Sequence, residues 1–265
     1  MKLSAYLSGI GILGPGLGDW RQASSVLTGE RPYVGAATIL AVPAMLPPAE
    51  RRRTGRVVKL VLAVAAEAIA HAAADPAEMA SVFSSSGSDG HICHEICQAL
   101  ALPAREVSPT RFSNSVHNVA AGYWSIATAS TSASNVLCAF DASFVAGLLD
   151  AMTQIVVDRQ SVLLVAYDTE YPPPLHAKRP IPDAFGVAMV LNPAKTPAAI
   201  ARIELALTDE QHERLEDPQL EALRAAIPAA RSLPLLRLLA RAEHARAVLE
   251  YLDVSRAAVR VEPCA

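Results

Sequence analysis

The spacing of apolar and polar positions changes along the chain, and each change of period marks an element. Leu3 to Leu13, LSAYLSGIGIL, reads as a strand that runs into a glycine turn, and Trp20 to Leu27 as a short helix. From Val57 to Ala74 an Ala-rich helical pattern holds until Asp75-Pro76, where the residue ahead of proline is driven out of the helical region. SVFSSSGSDG, residues 81–90, follows as a short strand into a polar turn, and His91 to Leu102 as a helix.

The centre of the chain is the most strongly patterned. NVLCAF, residues 135–140, predicts a strand. Asp141 to Asp158 predicts a helix with Phe144, Leu148, Met152 and Ile155 along one face, and SVLLVAYD, residues 161–168, a second strand. Two apolar strands joined through such a helix form a βαβ unit, which implies parallel pairing and a right-handed crossover. DAFGVAMVLN and AAIARIELAL, residues 183–192 and 198–207, read as further strands apolar enough to be buried on both faces. Beyond Thr208 the chain is rich in Leu, Ala, Arg and Glu at helical spacing, broken by Pro218, Pro228 and Pro234, and predicts two or three amphipathic helices. The expected organisation is an α/β domain over residues 1–207, layered around a mixed, mostly parallel sheet, with a helical extension over 208–265 packed on it.

Composition adds bounds. A chain of 265 residues that is 52% hydrophobic can bury one large core or two small ones. A net charge of −3 with scattered Lys and Arg argues against nucleic acid as a partner, and Arg51 to Arg53 reads as a solvated loop or helix start. The four cysteines lack a paired framework, and Cys138 sits in an apolar run where a thiol packs as a small hydrophobe, which fits a reducing cytoplasm. No apolar run approaches the roughly 20 residues that cross a bilayer.

Several motifs compete for chemistry. Gly9, Gly11 and Gly14 have the spacing of a dinucleotide-binding turn, but Pro15 and Gly16 follow at once, so no helix N-terminus is aimed at it. His91, Cys93, His94 and Cys97 could combine at a metal, yet no second ligand pair at finger spacing follows, and no metal or cofactor is expected. His117 stands in a polar loop ahead of a helix, either as a hydrogen-bonded structural residue or as a general base. Ser84 to Ser86 and the run from Thr128 to Ser134 supply hydroxyls without a G-x-S-x-G elbow. In CAFDASFVAG, residues 138–147, an apolar run turns into a helix at Asp141, which places a carboxylate where many enzymes hold a nucleophile.

Three ordered blocks carry a resemblance. SGIGILGPGLGDWRQASSVLTGERPY, SVFSSSGSDG and VSPTRFSNSVHNVAAGYWSI are similar to the opening strand and turn, the following strand and glycine-rich turn, and the Ser-Pro and Asn segment of the β-ketoacyl synthases of the thiolase fold. The resemblance runs over roughly Met1 to Leu207 and implies a thiolase-like half-fold. Registered without gaps, it sets Asp141 at the family's catalytic cysteine, within an elbow of Cys138, Phe140, Asp141 and Ser143. A carboxylate there can cap the helix, worth about 0.5–2 kcal/mol. It carries acyl groups poorly, because the mixed anhydride is more reactive than the thioester it came from. The family's two catalytic His and its Lys belong to its C-terminal half, and His212 and His244 fall in no matching motif here.

The resemblance thus implies a subunit with no intact catalytic set, like the chain length factors of aryl polyene and related pigment biosynthesis. Such a subunit would pair with an active ketosynthase and meet the acyl chain of a carrier protein through that partner. The family dimerises through the segment ahead of the elbow, which implicates Tyr123, Trp124, Ile126, Asn135 and Leu137 at the interface, with Trp124 as a buried anchor. Two alternatives stay open: a stand-alone acyl-transfer or decarboxylating enzyme using Asp141 or His117, and an acyl-binding scaffold that forms a homodimer.

Overall fold

The computed structural model describes residues 2–264. In chain order the elements are β1 (Lys2–Leu13), α1 (Trp20–Leu27), α2 (Pro48–Arg51), α3 (Arg56–Ala72), β2 (Ala80–Ser84), α4 (Gly90–Ala101), α5 (Pro109–Asn114), α6 (Val119–Thr128) and β3 (Ser134–Leu137). There follow α7 (Ser143–Asp158), β4 (Val162–Asp168), β5 (Phe185–Asn192), β6 (Ala201–Thr208), α8 (Pro218–Ala226), α9 (Leu233–Arg241), β7 (Ala245–Leu249) and β8 (Arg256–Pro263).

The strands form one mixed sheet in the order β3-β2-β4-β5-β1-β6-β8-β7. The α/β reading holds, but the sheet is mostly antiparallel. Only β3 with β2 and β2 with β4 pair in parallel, and every other neighbour runs antiparallel. The βαβ unit is present, yet β2 lies between its two strands, so β3 and β4 never pair directly. β5 is buried along its whole length, whereas β6 alternates buried and half-buried positions, because helices cover only one side of the sheet there. Residues 208–264 hold two helices as expected, and also β7 and β8, which extend the sheet beyond β6.

Two apolar clusters lie on opposite faces. Residues of α7, α9 and the inner positions of β1 and β6 form one, and α3 and α6 with the outer positions of β4 and β5 form the other. The glycines of β1 serve this second contact. A Cβ on Gly11 would stand 2.0 Å from the Val64 carbonyl oxygen, and one on Gly9 2.1 Å from that of Ala68. Gly9 and Gly11 of the dinucleotide-like spacing therefore form a groove for α3, and Gly14 makes room for the Phe185 ring. From that helix the Glu67 carboxylate accepts from the backbone N–H of Ile12 at 2.9 Å and of Trp20 at 2.6 Å, joining the end of β1 to the start of α1. Burial pushes the Glu67 carboxyl above its ordinary pKa, which those two N–H donors oppose.

Candidate functional site at the corner between β3 and α7

The corner is built from small hydroxyls and one left-handed residue. Where β3 ends, Ser85 N–H donates to the Leu137 carbonyl at 3.2 Å, and the exposed Cys138 thiol donates to the Ser86 carbonyl at 3.2 Å. The Ser143 hydroxyl accepts from Ala139 N–H at 3.0 Å and donates to the Phe140 carbonyl at 2.7 Å, which closes the turn. Phe140 stands at the crest with φ of 52°, a conformation costly to a side chain with a Cβ, and it is 60% exposed. Below, the Ser84 hydroxyl donates to the Ser143 carbonyl at 2.8 Å, and a Cβ on Gly147 would meet that hydroxyl at 2.8 Å. The start of α7 thus rests directly on β2.

Asp141 lies in this corner, inside a single 3₁₀ turn over Phe140–Ala142. It does not cap α7. The residue ahead of the helix is Ala142, no side chain caps it, and the Asp141 carboxylate is held by arginines instead. Arg179 Nη2 is 2.5 Å from its Oδ1, and Arg231 Nη2 donates to its Oδ2 at 3.1 Å. The Arg179 guanidinium also lies over the Phe140 ring, 3.7 Å from the centroid. From Arg231 the charges alternate through Glu250 at 3.1 Å to Arg224 at 3.1 Å and on to Glu221 at 2.8 Å. Hydrogen bonding to Glu221 holds the Arg224 guanidinium above its ordinary pKa, and the same contact holds the Glu221 carboxyl below its own. Two-point pairing with buried or half-buried guanidinium groups is the arrangement in which a carboxylate is fixed in place rather than free to attack.

Beneath the arginines, the fully buried Asp168 at the end of β4 accepts from Ser86 N–H and Ala229 N–H, both at 2.8 Å. It ties the loop after β2 to the turn ahead of α9. Burial pushes its carboxyl up to about 6, against those hydrogen bonds and the Arg179 charge.

An open cleft of about 750 Å³ lies beside the corner, walled by Phe140, Asp141 and Arg231 on one side and Tyr251, Leu252 and Val254 on the other. His212 lines it too, although no motif pointed to that residue, and burial pushes its imidazole below the ordinary range, toward the neutral form. His117 is placed elsewhere. It precedes α6, whose Val119, Tyr123 and Trp124 belong to the cluster on the α3 face, and the buried Nε2 of His117 has no hydrogen-bond partner. Burial lowers its pKa.

Of the residues assigned to an interface, Tyr123 and Trp124 are 7% and 2% exposed and pack inside the chain's own core, so neither is an exposed anchor. Ile126 is 51% exposed, Asn135 is exposed, and Leu137 is partly buried. Arg179, Arg231 and Glu250 went unrecognised in the sequence because they lie 38 or more residues from Asp141 and in no shared motif. Among the described residues no group of three or more His, Cys, Asp and Glu has a metal-binding arrangement. Phe140–Asp158 is long and apolar enough to cross a membrane, but half of it is buried within the fold.

Solved structures of similar fold extend over the whole chain. The ketosynthase ApeO in complex with its chain length factor ApeC from Xenorhabdus doucetiae matches with a TM-score of 0.74 and 22% identity, over 97% of this chain and 99% of that one. The ishigamide ketosynthase/chain length factor matches with a TM-score of 0.75 and 11% identity, over 99% and 100%. A β-ketoacyl synthase from Burkholderia phymatum matches with a TM-score of 0.60 and 15% identity, over 91% of this chain and 70% of that one. At these identities the likeness establishes the fold. No curated protein matches the sequence. The family model for the N-terminal domain of beta-ketoacyl synthases matches residues 20–249, and the chain belongs to that family.

Proposed function

We propose that this chain is a non-catalytic, chain-length-factor-like subunit that pairs with an active ketosynthase in polyene or fatty-acid-like acyl chain synthesis in the cytoplasm. One observation carries the reading. At the corner where the family's resemblance sets a nucleophile, the exposed crest is Phe140, and the neighbouring carboxylate is clamped between Arg179 and Arg231. A carboxylate whose two oxygens are each engaged by a guanidinium group is fixed in place and is a poor nucleophile. The end-to-end likeness to chains from ketosynthase/chain length factor assemblies supports the same reading.

The docking face is the open edge of the sheet at β3. Ser134, Asn135, Val136 and Leu137 carry no charge there, and an uncharged edge strand is a template for pairing with another chain. Ile126, Phe112 and Val116 add exposed apolar surface on the preceding segment. The opposite edge, β7, is blunted by Arg246, which is ion-paired with Glu210.

The test is co-expression with a ketosynthase. A one-to-one complex is expected in native mass spectrometry, with chain elongation on a carrier protein by the complex and none by this chain alone. Ile126→Asp should abolish co-purification while the chain stays folded. Trp124→Ala should instead lower stability by about 3–5 kcal/mol, as for other large aromatic truncations in a core. Elongation by the isolated chain, or a complex indifferent to Ile126→Asp, would overturn the reading.

A further inference from the structure

A second pocket, of about 230 Å³, lies between the end of α1, the loop ahead of α8 and the outer face of α9, and shares no lining residue with the corner cleft. Three arginines line it. Arg237 and Arg241 are one turn apart on α9, and Arg31 follows α1.

Their guanidinium groups lack the partners found elsewhere in the molecule. Arg224 makes hydrogen-bonded pairs with Glu221 at 2.8 Å and Glu250 at 3.1 Å. Arg237 is 17% exposed, its buried Nε has no partner, and its nearest carboxylates, Glu213 and Glu216, are each 3.9 Å away. Arg241 reaches Glu243 only at 3.8 Å, and no ion pair is formed by Arg31 among the described residues. The acids of the pocket do not meet this need. Asp217 accepts from Gln219 and Leu220 N–H at 2.8 and 3.0 Å at the start of α8, and the Glu216 side chain is 87% exposed.

A largely buried guanidinium with unfilled donors is costly unless an acceptor reaches it, and its planar fork matches an oxyanion at two points. Val26, Leu27 and Leu220 supply an apolar wall beside it. We infer that this pocket binds a small oxyanion, the phosphate or carboxylate head of a ligand with a short apolar stem, with Arg237 as the central donor.

Calorimetric titration of the purified chain with inorganic phosphate and with acetate, at matched chloride concentration, tests this. Saturable binding of at least one anion with a rise in Tm is expected. Saturation by phosphate alone assigns a phosphate ester, and saturation by acetate alone a carboxylate. Arg237→Met keeps the stem and should weaken binding at least tenfold. Arg31→Ala and Arg241→Ala, both at exposed positions that leave the fold intact, should weaken it several-fold. Absence of saturation by either anion, or binding untouched by all three substitutions, would overturn the assignment.

Discussion

Phe140 concentrates two opposed effects in one residue. Its φ of 52° strains any side chain with a Cβ, and the Arg179 guanidinium stacked on its ring compensates. Replacing it separates the two. Phe140→Ala keeps the strain and loses the stacking, so it should cost about 0.5–1 kcal/mol. Phe140→Gly loses the stacking and relieves the strain, and should be more stable than the alanine variant by about 1 kcal/mol. Urea unfolding of the pair reads the difference directly. The opposite order would mean that the crest is not left-handed in solution. Asp141 shows how little a residue's identity says about its role: an acid ahead of a helix suggests a cap, and two distant arginines draw it away from the helix end.

Between elements, close approach and buried polar ties govern the outcome. α3 can lie against β1 only because Gly9 and Gly11 lack side chains. Gly11→Ala should therefore destabilise the fold by several kcal/mol, since the new carbon would stand 2.0 Å from a backbone oxygen that the helix cannot move. Thermal unfolding checks it, and a loss under 1 kcal/mol would exclude this packing.

Asp168 ties β2's loop to the turn ahead of α9, and its elevated pKa makes the tie depend on pH. The folded state holds the proton up to about 6, while the unfolded chain releases it near 3.8. The protonated form therefore contributes stability that is fully present below about pH 3.8 and is lost as the pH rises through 6. In Asp168→Asn the group no longer titrates, and one backbone N–H faces an amide donor, at a cost of about 1–3 kcal/mol. The stability gap between the two proteins should narrow by about 2–3 kcal/mol from pH 4 to pH 7. A gap that is constant with pH would show that Asp168 titrates normally.

At the scale of the whole molecule, the sheet has two ends of different character. β7 and β8 close one of them with charged residues on the exposed face, including Arg246 and Arg260. β3 leaves the other uncharged and four residues long, the end at which the proposed partner docks. The chain is thus asymmetric, suited to adding one neighbour rather than growing in both directions.

The sequence alone determined the elements whose apolar period is long and unbroken. Trp20–Leu27 coincides with α1, and the helices at α3, α4 and α7 fall within two residues of their expected bounds; α1, α3 and α7 each bury an apolar stripe, whereas α4 buries only Gly90 and is marked by the Asp89 cap at its start. It also placed the strand-to-helix corner and its carboxylate, since an apolar run meeting a helical pattern is a local signal. β8 was within reach as well: Ala257, Val259 and Val261 point inward between Arg256, Arg260 and Glu262. The Ala and Arg of that stretch favour helices, and their propensity masked the period of two. Only the tertiary structure decided the antiparallel majority of the sheet, the interior position of Trp124, and the clamp on Asp141. Each depends on residues far apart in the chain that meet only when the sheet is assembled. Periodicity records which side of an element is buried, and carries no record of what it is buried against.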